Sequence, residues 1–398
     1  MRDGWREATL GEVASRRKDF TRVVADTRYR VVGVQRSGWG LVDRDPIRGD
    51  SMKFDKLLEL HTDDLVYRTI TAFEAPSAVV LSEFDGAFVT PQTFPTYTID
   101  RDQLRPGYMA LLTTAPEFHE AMSTRCVGSV LRRKTLSQGA FESIPIALPP
   151  LDEQRRIVDL IAAVDYAVDA AEAEATAAME SAIDLRNVYF ADDAATKPLG
   201  EVAEVTAGKQ LQSNSAVGEL TPYLRAGNIA NGSLDLSVVK EMALTEPERA
   251  KLALRDGDVV VVEGGNGFGK SAIWRAPIAG VVAHQNHVLR LRVVHDSYPT
   301  EYLSHWARWC HEQGLFRPTG SGIPNIGLGR ARTMPIRISE SEALPGELSA
   351  ASGADVAADA ARITAESFRT LRSNLLAALL SGEHEIPSSY DALLEEVA

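Results

Sequence analysis

The chain of 398 residues repeats itself once. Leu10-Gly11-Glu12-Val13-Ala14 returns as Leu199-Gly200-Glu201-Val202-Ala203, an offset of 189. Asp64 before Leu-Val-Tyr matches Asp258 before Val-Val-Val, and the pairs Gly86/Gly280 and Tyr108/Tyr302 keep that offset of 194. Ile144-Pro145-Ile146 matches Met334-Pro335-Ile336, and Leu185-Arg186 matches Leu371-Arg372. An ordered series that drifts but never breaks is the mark of two diverged copies. Two copies are too few for a solenoid, so the expected architecture is two domain-plus-helix units in tandem.

The charge follows the same division. The net charge of −13 taken whole argues against a nucleic-acid binder. Residues 1–147 carry 20 basic and 20 acidic side chains, and residues 196–338 carry 16 and 13. Residues 148–195 and 339–398 each carry 3 and 11, so the acidity is confined to two segments of matching composition. The two near-neutral blocks mix short β-rich runs (30–34, 78–81, 258–262, 288–294) with Gly/Pro/Asn turns and short helical patterns at 108–113 and 300–313. This is the pattern of an α+β domain with a curved sheet. The acidic segments are helical. Between Pro150 and Pro198 there is no Gly or Pro, and apolar residues step by three and four through Ile157, Ile161, Val164, Val168, Ala171, Ala175, Ala178, Ala182, Leu185 and Tyr189. A second seam is read at Ala354, Ala357, Ala361, Thr364, Phe368, Leu371, Leu375 and Ala378, on a helix expected to be shorter because of Pro345, Gly346 and Gly353. Alanine-rich seams bury little area, so each helix needs a partner, and the simplest is the other.

Ile144-Pro-Ile-Ala-Leu-Pro-Pro-Leu-Asp-Glu-Gln-Arg-Arg-Ile157 and Leu371-Arg-Ser-Asn-Leu-Leu-Ala-Ala-Leu-Leu-Ser-Gly382 resemble the conserved helices of specificity subunits of type I restriction–modification systems. Trp5 with the two Leu-Gly-Glu-Val runs resembles the openings of their target recognition domains. The resemblance covers the whole chain in the family's order: recognition domain 1–147, spacer helix 148–195, recognition domain 196–338, spacer helix 339–385, and a tail 386–398. It implies a non-catalytic, cytoplasmic DNA-binding subunit whose two domains each read half of a bipartite target in double-stranded DNA. The helices would pair antiparallel as a ruler. Two modification subunits holding S-adenosylmethionine would dock on Pro149, Pro150, Leu151, Glu153, Gln154, Leu371 and Leu375. In some such systems a restriction motor-nuclease using ATP and Mg joins them. The second copy departs from the pattern at residues 336–344, which lack the Pro-Pro-Leu-x-Glu-Gln run, so partner docking is expected to be asymmetric.

Catalytic readings fare less well. Residues 264–271 satisfy G-x-x-x-x-G-K-[ST], the phosphate-loop pattern and the main alternative to DNA reading. A phosphate loop must open a helix, and the following Ala-Ile-Trp-Arg-Ala-Pro277 reads as strand. No lysine has a carboxylate two residues before it, as a nuclease of the Asp…[Asp/Glu]-x-Lys type requires, and the only Pro-Pro is flanked by leucines. His284, His287, His295, His305 and His311 cluster loosely, but His284 and His287 would fall on opposite faces of a strand. Cys126 and Cys310 offer neither a disulfide framework nor a zinc pattern, and the N-terminus lacks a secretory signal. A non-specific coiled-coil scaffold is the other alternative.

DNA reading needs side chains that reach base edges, Arg for guanine and Asn or Gln for adenine. The chain holds 33 Arg against 9 Lys, which suits this chemistry, as would codon bias in a GC-rich genome. Candidates lie in turns: Arg36, Lys53, Lys56, Gln92, Arg132, Arg133 and Lys134 in the first block. In the second they are Arg225, Asn228, Asn231, Asn266, Lys270, Gln285, Asn286, His287, Arg317 and Asn325. Blocks of charge 0 and +3 should bind DNA weakly without a partner's phosphate contacts.

Overall fold

The computed structural model describes residues 4–130, 133–191, 195–210, 217–265, 267–295, 297–316, 325–338 and 344–391. Candidates Arg132, Asn266 and Arg317 lie outside them. The chain divides into two compact units, Met1–Ala170 with Glu366–Ala398, and Ala171–Ala365. The division passes through both long helices, Leu151–Phe190 and Leu344–Leu380. Each unit therefore holds one α+β domain, one end of the first long helix and the opposite end of the second.

In the first unit an antiparallel sheet runs in the order Ser77–Val79, Leu65–Tyr67, Thr96–Ile99, Ala14–Arg16. It is covered on both faces, and its central strand Leu65–Tyr67 is accordingly an unbroken, fully buried apolar run. Leu65, Tyr67 and Val79 point into one core with helix Pro106–Thr114 and the helix ends at Ile157, Ile161, Leu376 and Leu379. Val66 and Ala78, on the opposite face by the period of two, join a second core with Val32, Val34, Leu58 and Val89. The second unit repeats the order: Ser271–Ile273, Val259–Val262, Val288–Val293, Ala203–Ala207. Val259 and Val261 face one core, Val260 and Val262 the other.

The sequence repeats prove to be repeats of contacts. Asp64 accepts from the His61 amide at 2.9 Å and pairs with Arg17; Asp258 accepts from the Arg255 amide at 2.7 Å and pairs with Arg292. In both copies the buried carboxylate closes the turn before a core strand. The Tyr108 hydroxyl donates to the Ala147 carbonyl, and that of Tyr302 to the Arg337 carbonyl, holding the same edge strand in each unit. Gly11 and Gly200 sit where a Cβ would come within 3.2 Å of Glu142 Cβ and 3.3 Å of the Arg332 carbonyl, so each Leu-Gly-Glu-Val turn packs tightly on the next short helix.

All ten seam positions of the first long helix are buried or half-buried. The second seam departs from expectation. Ala357, Thr364 and Leu371 are exposed, and the inward positions are Leu348, Ala351, Asp355, Ala358, Ala365, Phe368, Arg372, Leu376 and Leu379. The other five expected positions, Ala354, Ala361, Phe368, Leu375 and Ala378, are half-buried, so the inward face is broader than the expected seam and takes in two charged positions. Asp355 pairs with Arg186 at 2.5 Å in the second unit, and Arg372 pairs with Asp165 in the first. The helix runs 37 residues from Leu344 against 40 for the first, so it is shorter by only three, and it is not broken at Pro345, Gly346 or Gly353. Pro345 falls in its first turn, where the missing N–H has no helical partner to lose, and Gly353 faces open space. In each unit the start of one long helix lies against the end of the other, the antiparallel arrangement expected.

Arg186, 1% exposed, is the centre of a buried network in the second unit. It donates to both Glu312 oxygens at 2.8 and 2.6 Å and to Asp355, whose other oxygen accepts from Arg308 at 2.6 Å. His305 lies 3.4 Å from Asp355, yet burial holds it down to about 4, so it remains neutral.

Candidate nucleic-acid interface

Four turns of the first unit are tied together by backbone bonds. The turn carrying Arg36 joins strands Val32–Val34 and Leu41–Asp43, and its Ser37 amide bonds the Glu74 carbonyl at 2.9 Å. Thr69 bonds the Thr93 carbonyl through its amide, while the Leu136 amide bonds Thr69. Isolated bridges pair Ile70 with Thr135 and Val127 with Thr135. The turns holding Arg36, Ile70, Gln92 and Arg133-Lys134 thus converge. Three of the five non-glycine residues with positive φ in the described chain, Ser37, Thr71 and Ala75, lie in this cluster. Such backbone costs of order 1–3 kcal/mol each and concentrates at functional loops.

Arg36 is exposed and stacks on the exposed Trp39 ring at 4.8 Å, an attraction that steadies a guanidinium without neutralising it. Gly38 makes this turn possible: its φ is +70°, and a Cβ would lie 2.3 Å from the Thr113 carbonyl. Gln92 and Arg133 are exposed and Lys134 is half-buried. Lys53 instead lines an apolar groove of ≈ 600 Å³ with Phe54, Phe88 and Phe94. Lys56 is exposed on strand Lys56–Glu59, and no backbone bond ties it to the cluster.

The second unit builds the same constellation from equivalent turns. Gly232 bonds Ser271, Glu263 bonds His287, Ile326 bonds Glu263, and Gln285 bonds Leu224, all through the backbone. The bridge Gly264–Asn325 takes the place of Ile70–Thr135. Arg225, Asn231, Lys270, Gln285, Asn286, His287 and Asn325 are brought together here. Asn231 Oδ1 and Arg225 Nε are buried with no hydrogen-bond partner among the described residues. Asn228 corrects the sequence reading. It is 3% exposed, accepts from the Arg225 amide, and donates both amide hydrogens to the Asp235 and Val238 carbonyls. No donor remains for a base; the residue closes the turn. His284 is fully buried, bonded to the Leu252 carbonyl and held at about 4 by burial, so it supplies no charge.

The phosphate-loop alternative is contradicted. Val259–Val262 and Ser271–Ile273 are paired antiparallel strands, and Gly265, Gly267 and Gly269 all take positive φ in the turn between them. No helix opens at Lys270, so no helix N-terminus is aimed at an anion.

The motif expected to dock partners is largely committed within the first unit. Glu153 accepts from the Trp5 indole at 3.0 Å, and Gln154 bonds the Arg105 amide and the Gln103 and Pro149 carbonyls. Pro149 is buried, Leu151 half-buried, and Leu375 packs on the core. Only Pro150 and Leu371 of the seven residues are exposed. Sequence reasoning missed Trp39, although a tryptophan between two glycines in a turn was a visible signal, and it missed the apolar bridge residues.

No family model and no curated protein matches the chain. Solved structures do. A chain from a study of complex assembly and conformational transition of the type I R-M system aligns with a TM-score of 0.63 at 17% identity, over 96% of this chain and 98% of that one. The HsdS subunit from Thermoanaerobacter tengcongensis aligns at 0.51 and 17% identity, over 96% and 98%. The type I restriction-modification S subunit from M. genitalium aligns at 0.54 and 12%, over 96% and 97%. The fold, through nearly the whole length, is that of these S subunits. Among the described residues no helix is long and apolar enough to cross a membrane.

Proposed function

We propose that this chain is the specificity subunit of a type I restriction–modification complex: a cytoplasmic, non-catalytic reader of bipartite double-stranded DNA. The observation that carries the reading is the duplicated loop constellation, cationic and amide-bearing, set on two equivalent scaffolds. Phosphate contacts from the Arg and Lys residues would fix register, and Arg36, Gln92, Gln285 and Asn286 would reach base edges. The long helices would set the distance between half-sites. Two modification subunits would bring S-adenosylmethionine, and a restriction subunit, where present, ATP and Mg. The shared S-subunit fold supports this reading, and the near-neutral domains imply that partners add phosphate contacts before binding becomes tight.

The test is selection from a randomised duplex library by the chain purified with its modification subunits. Two short enriched blocks separated by an unspecified spacer of fixed length are expected. Binding without an enriched motif would contradict the proposal and favour a scaffold.

A further inference from the structure

The two units place different chemistry at the same point of the scaffold. In the first, Thr135 is bridged to Ile70 on one side and Val127 on the other. Residues paired in register across strands project to the same face, so Ile70, Thr135 and Val127 present one β-branched surface. Ile70 is 50% and Val127 65% exposed, while the next residue, Leu136, is fully buried on the opposite face. Single exposed apolar residues need no explanation. Here, however, they are held side by side on a small rigid patch, within turns that also carry Arg36, Arg133 and Lys134. None of these three cations pairs with a carboxylate among the described residues. In the second unit the corresponding bridge is Gly264–Asn325, with no side chain on one strand and an amide on the other.

An apolar patch set in turns whose cations are unpaired among the described residues matches a polyanion that offers methyl groups. In the major groove only thymine does so, through its C5-methyl. We propose that the first unit reads thymine methyl groups in its half-site through Ile70, Val127 and the Thr135 methyl, whereas the corresponding bridge of the second unit, Gly264–Asn325, offers no methyl group. This rests on the DNA-reading function proposed above.

The experiment uses the complex with modification subunits and the target obtained by library selection. Thymines in each half-site are replaced in turn by deoxyuridine, which removes only the methyl. Affinity is expected to fall about 3- to 10-fold per contacted thymine in the first unit's half-site, and to be unchanged in the other half. That half is identified as the one whose preference relaxes in Arg36→Ala. The variants Ile70→Asn and Val127→Asn, polar and without a methyl at these exposed positions, should sharply reduce the deoxyuridine sensitivity. A first half-site lacking thymine, or one indifferent to deoxyuridine, overturns the proposal while leaving DNA reading intact. So does loss of modification-subunit binding in the two variants with the deoxyuridine response retained, which would make the patch a protein contact. Failure to select any motif would instead overturn the function on which the inference rests.

Discussion

Arg186 and Arg372 occupy equivalent places in the two copies and bridge to Asp355 and Asp165, yet their surroundings differ. The Arg186 side chain is 1% exposed and bound by two carboxylates; the Arg372 side chain is 30% exposed and bound by one. Removing one partner of a buried pair leaves an uncompensated charge and costs about 3–5 kcal/mol, whereas an accessible pair contributes about 0–1 kcal/mol. Arg186→Ala should therefore lower the denaturation midpoint strongly and Arg372→Ala barely, in urea titrations of the full chain. Equal effects would show that the network does not hold the second unit. At this scale the sequence is informative where a residue repeats. Asp64 and Asp258 stand out from spacing alone because the same turn needs the same carboxylate. Asn228 misleads, since an amide reads as a base contact until the turn that consumes its hydrogen bonds is seen. Positive φ at Ser37, Thr71 and Ala75 leaves no trace in residue type.

The elements show why one helix was readable and the other only in part. The first has isoleucine and valine on a single stripe, which fixes its phase. In the second, alanines occupy several stripes at once, so small apolar residues cannot choose between phases one residue apart. Asp355 and Arg372 join the inward face through partners on the other helix that periodicity does not reveal. Deleting one heptad from the middle of each long helix preserves these end contacts and shortens each helix by about 10 Å. If the helices set the spacing, the methylated target should lose roughly three base pairs of spacer with both half-sites unchanged. An unchanged spacer in mapped methylation sites would exclude the ruler.

For the molecule as a whole, the division of charge anticipates the division of labour. The net −13 is concentrated on the helical segments, and the domains that carry the loop clusters are near neutral. Tandem architecture and sheet runs were legible because duplication makes each copy a check on the other. The convergence of the turns was not, because it depends on backbone bonds between residues as distant as Ser37 and Glu74. The proposed pair of readers implies modularity, and the most direct test is exchange of residues 1–147 for the first recognition domain of an S subunit of known target, followed by methylome sequencing. One half-site should change while the other and the spacer persist; a change in both halves, or in neither, would contradict a duplicated reader.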